Sequence, residues 1–463
     1  MKLILPNGLE SVVADLRAAG FRAVVVGGAV RDALLGLQPK DFDIEVYGIS
    51  YDSLAAFLGR YGRVDLVGKS FGVVKLTNEV DFSVPRRESK TGAHHRDFQA
   101  TFDPSITPQE AASRRDFTIN AMAYDPLTEE VVDFFGGQED LKNRVLRATS
   151  SAFREDPLRV LRGMQFASRF DMRLDADTAA ECRMLVNEYS TIARERIGEE
   201  FRKWAEKSSR PGRLRQYLND SGWMVHFPEL QALDRVPQDP EWHPEGDVAT
   251  HTMLVVDQAA RVADEAAIEG DERAVLLFAA LTHDFAKATT TQLRERDGKM
   301  RWTSWGHEAA GGPMARAFLE RIGIKSSIVD QVVPLVENHL VHSNLGEEIT
   351  PRAVRRLAMR LAPASIVQLM RLIEADASGR SPKPGGLPEG ARRLLEAAQE
   401  QAVETSPQGR IILGRHVLPY FEGRAGKHIG EVVDAAYEAQ ADGTFSTEEE
   451  AMEWLARFMK KAD

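Results

Sequence analysis

Short apolar runs set the character of the first 145 residues. AVVVGG (23–28), FDIEVYG (42–48), FGVVKL (71–76), VDFSV (80–84) and EVVDFF (130–135) have strand length and β-branched or aromatic enrichment. Helical periodicity interrupts them, as in LESVVADLRAAG (9–20). Both patterns in one segment predict an α+β unit over 1–145, a mixed β-sheet with helices. Its stretch 86–112, RRESKTGAHHRDFQATFDPSITPQEAA, is polar, basic and poor in periodicity, and reads as a mobile loop. From about residue 150 the strand signal fades and helical periodicity continues, giving an all-α neck and body (146–235). VPQDPEWHPEGD (236–247) is dense in Pro, Gly and Asp and reads as loop. A second all-α block covers 245–380, SPKPGGLPEG (381–390) reads as a linker, and 391–463 as a small helical tail. In the tail, Ser446 and Glu449 are spaced for a capping box, and Met452, Leu455 and Met459 share one helical face.

Composition changes this picture little. At 463 residues the chain exceeds a single core, and no apolar run approaches the roughly 18 residues of a membrane span. MKLILPNGLE is broken by Pro6 and Gly8 too early for a signal peptide. One cysteine, Cys182, excludes an intramolecular disulfide and suits a reducing cytoplasm. The net charge of −11 argues against nucleic acid until its distribution is seen. Residues 1–170 hold 22 Lys+Arg against 23 Asp+Glu, whereas the remainder holds 37 against 47. Within 142–169, Lys142, Arg144, Arg147, Arg154, Arg159, Arg162 and Arg169 face only Glu155 and Asp156, a local excess that can meet phosphates.

The first candidate chemistry is the pair Asp41 and Asp43. In a strand they point to one side, about 7 Å apart, while Phe42 and Ile44 face the core. Two such carboxylates repel unless a cation lies between them, and hard divalent ions with oxygen ligands are the common solution. Paired Mg²⁺ ions activate an attacking hydroxyl and stabilise a leaving phosphate. Upstream, Gly27 and Gly28 allow close backbone approach to a ligand, a helix is expected to begin near Val30, and Arg31 could add charge. GKS at 68–70 is no P-loop, because the required glycine would fall at Arg63.

These residues resemble a family. GGAVRDALLG followed by DFD is similar to the head motif of class II tRNA nucleotidyltransferases, the CCA-adding enzymes and their poly(A) polymerase relatives. RRDFTINAMAYDP (114–126), DFFGGQEDL (133–141), EDPLRVLRGMQFASRF (155–170) and RERIGEEFRKW (194–204) resemble that family's later motifs, in order. The resemblance implies a nucleotidyltransferase head with Asp41 and Asp43 as metal ligands and Asp81 as a third carboxylate. Arg114 and Arg115 would contact phosphate or ribose, Asp116 and Asn120 would hold the sugar or brace the loop, and Arg162 joins the nucleotide-binding set. Asp156 and Pro157 read as N-cap and first turn of a helix. Asp156 and Arg159 match the family's base-selecting element. Cytosine and adenine present an amino donor beside an acceptor nitrogen, which suits a carboxylate and a guanidinium; uracil and guanine present the reverse. The family also carries a loop near 86–112, with a basic/acidic element such as Arg96–Asp97, associated with addition of A.

A second series lies in the helical block: His251, His283-Asp284 in LLFAALTHDFAKA, His307, His339, His342 and Asp376. It resembles an HD-domain phosphohydrolase. That resemblance implies His251, His283, Asp284 and Asp376 as ligands of a divalent metal, with His307 and His339, or His342 instead, at a second ion or at phosphate, and Lys287 as a phosphate contact. Mixed imidazole and carboxylate ligands suit Mn, Fe, Ni or Co. The expected protein is a nucleotidyltransferase that adds CCA, or its terminal A, to a tRNA 3′ end from CTP and ATP. A second hydrolytic site and no membrane partner are expected with it. Narrower A or poly(A) addition, and a hydrolase whose head merely binds RNA, are the alternatives.

Overall fold

The computed structural model describes residues 3–6, 8–39, 41–68, 72–77, 80–90, 98–346 and 348–462. The chain divides into two units, 1–204 with 208–227 and 205–207 with 228–463.

The strands of the first unit's main sheet and arm are β1 (Arg22–Val26), β2 (Phe42–Tyr47), β3 (Asp65–Gly68), β4 (Val73–Thr77), β5 (Val80–Ser83), β6 (Arg86–Lys90), β7 (Phe98–Phe102), β8 (Ala123–Asp125) and β9 (Glu130–Val132). Seven of them form a sheet in the order β3-β4-β5-β2-β1-β8-β9. The sheet is mixed: β2 and β5 run parallel, and the other neighbours antiparallel. Val24, Val25 and Val26 are all buried, the mark of a central strand covered on both faces. Helix Leu9–Ala18 buries Leu9, Val12, Val13 and Leu16, a one-face spacing, and packs on β1.

Three expectations change here. The helix after the Gly-Gly turn spans Gly28–Leu34, starting two residues before Val30. The segment 86–112 is not a structureless loop: β6 and β7 pair as an antiparallel arm, and helix Pro108–Ser113 follows with a Thr107–Glu110 capping box. Arg96 and Asp97 lie outside the described residues. Finally, helix Leu158–Phe170 begins after Pro157, one residue later than expected, and Asp156 Oδ1 accepts from the Leu158 N–H at 3.0 Å. That helix packs on Arg213–Ser221 at Gly163, where an added Cβ would lie 2.1 Å from the Tyr217 hydroxyl.

The second unit is helical, with Val248–Glu265, Gly270–Thr282, His307–Arg321, Ser326–Asn338 and Ile366–Ser378 packed on one another. It is not all-α, because Gln292–Arg296 and Lys299–Thr303 form an antiparallel hairpin. Asp297 and Gly298 make its turn with φ of 53° and 73°, the two positive values that a type I′ turn demands. In the tail, helix Glu448–Ala462 is capped by Thr447 and Glu450 rather than Ser446 and Glu449. Its buried stripe is Ala451, Leu455 and Met459, four residues apart, and Met452 is exposed.

Candidate functional site

Asp43 lies on β2, and the pleat sends Phe42, Ile44 and Val46 into the core while Asp41 and Asp43 stay accessible. The parallel pairing of β2 with β5 sets Asp43 opposite Asp81. Asp43 and Asp81 on neighbouring strands, with Asp41 one residue before β2, therefore form a carboxylate group, and Glu45 is the next residue on the Asp43 face. Although Asp43 reaches solvent, the protein around it raises its carboxyl pKa. Asp81, Asp41 and Glu45 add repulsion, and Arg115 opposes it. Such a cluster retains an uncompensated demand for positive charge, which fits divalent ions. Lys75 Nζ, 3.1 Å from Asp81 Oδ1, meets part of it.

The Gly-Gly turn follows β1, whose Val26 pairs with Asp43. Gly27 has φ 74°, which favours glycine, and a Cβ there would lie 2.8 Å from Arg115 Nη1, so a side chain would displace the guanidinium. Gly28 opens the helix. Arg31 is placed differently from the expectation of a free phosphate contact. It is buried, donates to Asn120 Oδ1 and Asp32, and lies over the rings of Phe166 and Phe170 at 5.3 and 4.6 Å. Asn120 Nδ2 donates to Asp116 Oδ1 at 3.0 Å, and Arg162 Nε donates to Asp116 Oδ2 at 2.8 Å. One polar chain, Arg31–Asn120–Asp116–Arg162, thus ties the turn to helix Leu158–Phe170.

At that helix's start, Arg159 donates to the carbonyls of Ala152 and Arg114, both at 2.7 Å. Asp156 Oδ2 accepts from Arg196 at 2.8 Å. A guanidinium has five N–H groups and a carboxylate about four lone pairs, so each retains capacity for a base edge while anchored. Arg114 also donates to Glu155 at 2.8 Å. Arg196 was not singled out from sequence, although it stands in RERIGEEFRKW.

The second unit brings six expected residues into one buried cluster. His251 Nε2 lies 3.0 Å from Asp376 Oδ1 and 3.7 Å from Asp284 Oδ2. His283 Nε2 is 3.1 Å from Asp284 Oδ2, and His307 Nε2 3.3 Å from Asp284 Oδ1. His307 and His339 face each other, Nε2 to Nε2, at 3.3 Å. Asp284 therefore bridges two potential ligand groups, His251–His283–Asp376 and Asp284–His307–His339. His342 is in neither.

Backbone geometry aims these rings. His283, His307 and His339 each place Nδ1 2.6–2.8 Å from the carbonyl three residues earlier, which holds the ring and turns Nε2 toward the carboxylates. His251 Nδ1 instead meets Glu245 Oε1 at 2.7 Å, and Glu245 also meets His243 Nδ1 at 2.9 Å. Burial, then His283 and His307, pushes His339 down to about 3, so its ring stays neutral. The Nε2 atoms of His251 and His283 and Asp284 Oδ1 are buried and make no well-formed hydrogen bond, facing one another's ring nitrogens and carboxylates instead. Converging imidazole and carboxylate groups of this kind fit metal ions. Lys287 Nζ lies 2.8 Å from Asp284, and Arg380 donates to Asp376 at 2.6 Å. The cluster floors a cavity of about 550 Å³. His243 and Glu245 escaped the sequence reading because they sit in a Pro- and Gly-rich loop ahead of the spaced series.

Carboxylates on the sheet beside a Gly-Gly turn, in one chain with a buried His/Asp cluster, define a nucleotidyltransferase head and an HD unit. Accordingly, residues 23–147 match the poly A polymerase head domain family and residues 248–369 the HD domain family; domains of both kinds use divalent metals. The chain is 34% identical over 405 residues to the multifunctional CCA protein of Burkholderia pseudomallei, covering 84% of this chain and 93% of that protein. It is 37% identical over 371 residues to that of Xanthomonas campestris pv. campestris, covering 78% and 86%. The chain belongs to the multifunctional CCA protein family. In fold it is similar to the Bacillus stearothermophilus CCA-adding enzyme in complex with CTP, with TM-score 0.62, 20% identity and 99% of each chain covered. The Thermotoga maritima CCA-adding enzyme complexed with tRNA gives TM-score 0.53 and 18% identity, with 99% of this chain and 97% of that one covered. Among the described residues no helix is long and apolar enough to cross a membrane.

Proposed function

We propose that the chain adds C and A nucleotides, as CCA or its terminal A, to the 3′ end of tRNA from CTP and ATP without a template. Its second unit is a metal-dependent phosphohydrolase. The observation that carries the first reading is the register Asp43 opposite Asp81, with Asp41 one residue before β2. Asp41 and Asp43 would hold Mg²⁺, which when bound neutralises triphosphate charge and favours ionisation of an attacking hydroxyl. Gly27 and Gly28 let phosphates approach the backbone, and Arg115 and Arg114 supply cationic contacts. Asp116 and Asn120 hold the turn in place through Arg31 and Arg162.

Base choice falls to Asp156 and Arg159. Cytosine and adenine match the hydrogen-bonding capacity that both retain, whereas uracil and guanine set acceptor against carboxylate and donor against guanidinium, which is costly. In the second unit His251, His283, Asp284 and Asp376 would hold one Mn, Fe, Ni or Co ion, and His307 and His339 a second, sharing Asp284. Hydrolysis of 2′,3′-cyclic or 3′-phosphate ends would free the primer hydroxyl that the head extends. The single, buried thiol of Cys182 suits the cytoplasm.

The test supplies Mg²⁺ and CTP, ATP or both to three RNAs: tRNA lacking CCA, tRNA ending in CC, and an unrelated RNA. Asp41→Ala/Asp43→Ala protein is the control. CCA addition to the shortest tRNA, lost in the control, is expected. Extension only of the CC-ended tRNA by A would narrow the reading to A addition, and no incorporation on any RNA would overturn it.

A further inference from the structure

The cavity above the His/Asp cluster has a rim that metal ligation does not require. Three of the chain's six tryptophans line it, Trp242, Trp302 and Trp305, with 56, 37 and 62% of their surface exposed. By contrast Trp204 and Trp223 are fully buried core residues. Large apolar rings held in water around one opening mark a binding surface rather than packing. Cations already flank two of them: the Arg294 guanidinium lies 4.5 Å from the Trp305 ring centre and Lys383 Nζ 4.9 Å from that of Trp242.

The rings stand on fixed supports. Trp302 belongs to the hairpin closed by Asp297-Gly298, and Trp242 to the loop before helix Val248–Glu265. Arg301 ties the two together, with Nη1 3.2 Å from Asp239 Oδ2 and Nη2 2.6 Å from Glu241 Oε2. The same loop supplies Glu245, which orients His251. The aromatic rim is thereby held in register with the metal-ligand cluster. Lys287, Arg296 and Arg380 add positive charge to the cavity wall.

We propose that Trp242, Trp302 and Trp305 form a base-stacking rim, so that this site selects phosphate esters carried on a nucleoside at a single-stranded RNA end over base-free esters. Stacking on aromatic faces tolerates any base while requiring one. The proposal rests on the phosphohydrolase reading of the same cluster.

The full-length protein, loaded with Mn²⁺, is given adenosine 2′- and 3′-monophosphate and, as a base-free secondary phosphate, glycerol 2-phosphate. Trp302→Ala, Trp305→Ala and Trp242→Ala are each expected to lower the ratio of nucleotide to glycerol phosphate kcat/KM about tenfold, chiefly through KM. Trp302→Phe should restore most of it. Separately, in metal-free protein, the nucleotides should quench tryptophan fluorescence and ribose 5-phosphate should not. An unchanged ratio in all three alanine variants, with hydrolysis intact, overturns the rim and leaves the hydrolase standing. Quenching by nucleotides without hydrolysis of any ester supports the rim and overturns the hydrolase. Absence of both overturns both.

Discussion

Asp43 and Asp284 each stand at the centre of a candidate metal site, but the protein surrounds them in opposite ways. Asp43 is open to solvent on the central strand β2, and its carboxyl pKa is raised by the surrounding protein and by Asp81, Asp41 and Glu45. Asp284 is fully buried, and burial alone would raise it, yet His283 and Lys287 hold it well below the usual carboxylate range. The head leaves negative charge uncompensated where solvent and substrate can reach it. The HD cluster encloses its charge and supplies imidazoles aimed by backbone carbonyls. A cation arriving with a triphosphate suits the first arrangement, and a resident ion the second.

The comparison breaks most sharply by substitution. Asp43→Ala should lower nucleotide incorporation by about 10³-fold or more while hydrolysis of phosphate esters continues. His283→Ala with Asp284→Ala should do the reverse. Parallel assays of one preparation check both, and joint loss in either variant would mean that the sites are not independent. Next in size is Glu245→Gln. Glu245 holds His251 Nδ1 at 2.7 Å, on the ring atom opposite the Nε2 that faces Asp376 and Asp284, so metal affinity of the HD unit should fall roughly 10–100-fold. Titration of the chelator-stripped protein, read by bound metal, measures this. Mg²⁺-dependent incorporation should not change.

How much of this was legible depended on distance along the chain. The common face of Asp41 and Asp43 follows from strand alternation over three residues. The pairing of Asp43 with Asp81 does not, because sheet order and a parallel register are set by the whole domain. The histidine series could be read from spacing within helices. Its aiming could not, since it depends on where each helix ends: His283 and His339 stand at the last turn, where the ring reaches the carbonyl three residues back. Arg31 looked like a ligand for phosphate because the Phe166 and Phe170 rings that cover it are more than 130 residues away. The hairpin at 292–303 did carry a local signal, Asp-Gly at its turn. The charged first strand, QLRER, hid it, although Met300 and Trp302 alternate with polar residues on the second.

Base selection gives a smaller and finer test. Arg196 steadies Asp156 from helix Arg194–Lys207 without belonging to the base-reading pair. Arg196→Ala should therefore leave catalysis in place but loosen the carboxylate. Discrimination against UTP and GTP should fall about tenfold, as competition assays on CC-ended tRNA would measure. Unchanged discrimination would remove Asp156 from the selecting role.

The smallest effect concerns acid stability of the first unit. Burial would raise the Asp116 pKa, but Arg162, the Asn120 amide and the Phe117 N–H outweigh it, so the folded value is depressed. A depressed acid contributes stability that is complete above its unfolded pKa of about 3.9 and is lost as pH falls through the folded value. Asp116→Asn removes this titration. Because the Arg162 side chain is 35% exposed, screening limits the contribution to about 1 kcal/mol. Hydrogen exchange of helix Leu158–Phe170 should then show wild type more protected than the variant at pH 6, with the gap closing below about pH 4. A gap that stays constant on acidification would mean that Asp116 acts by packing and hydrogen-bond shape, and that its charge plays no part in holding the turn.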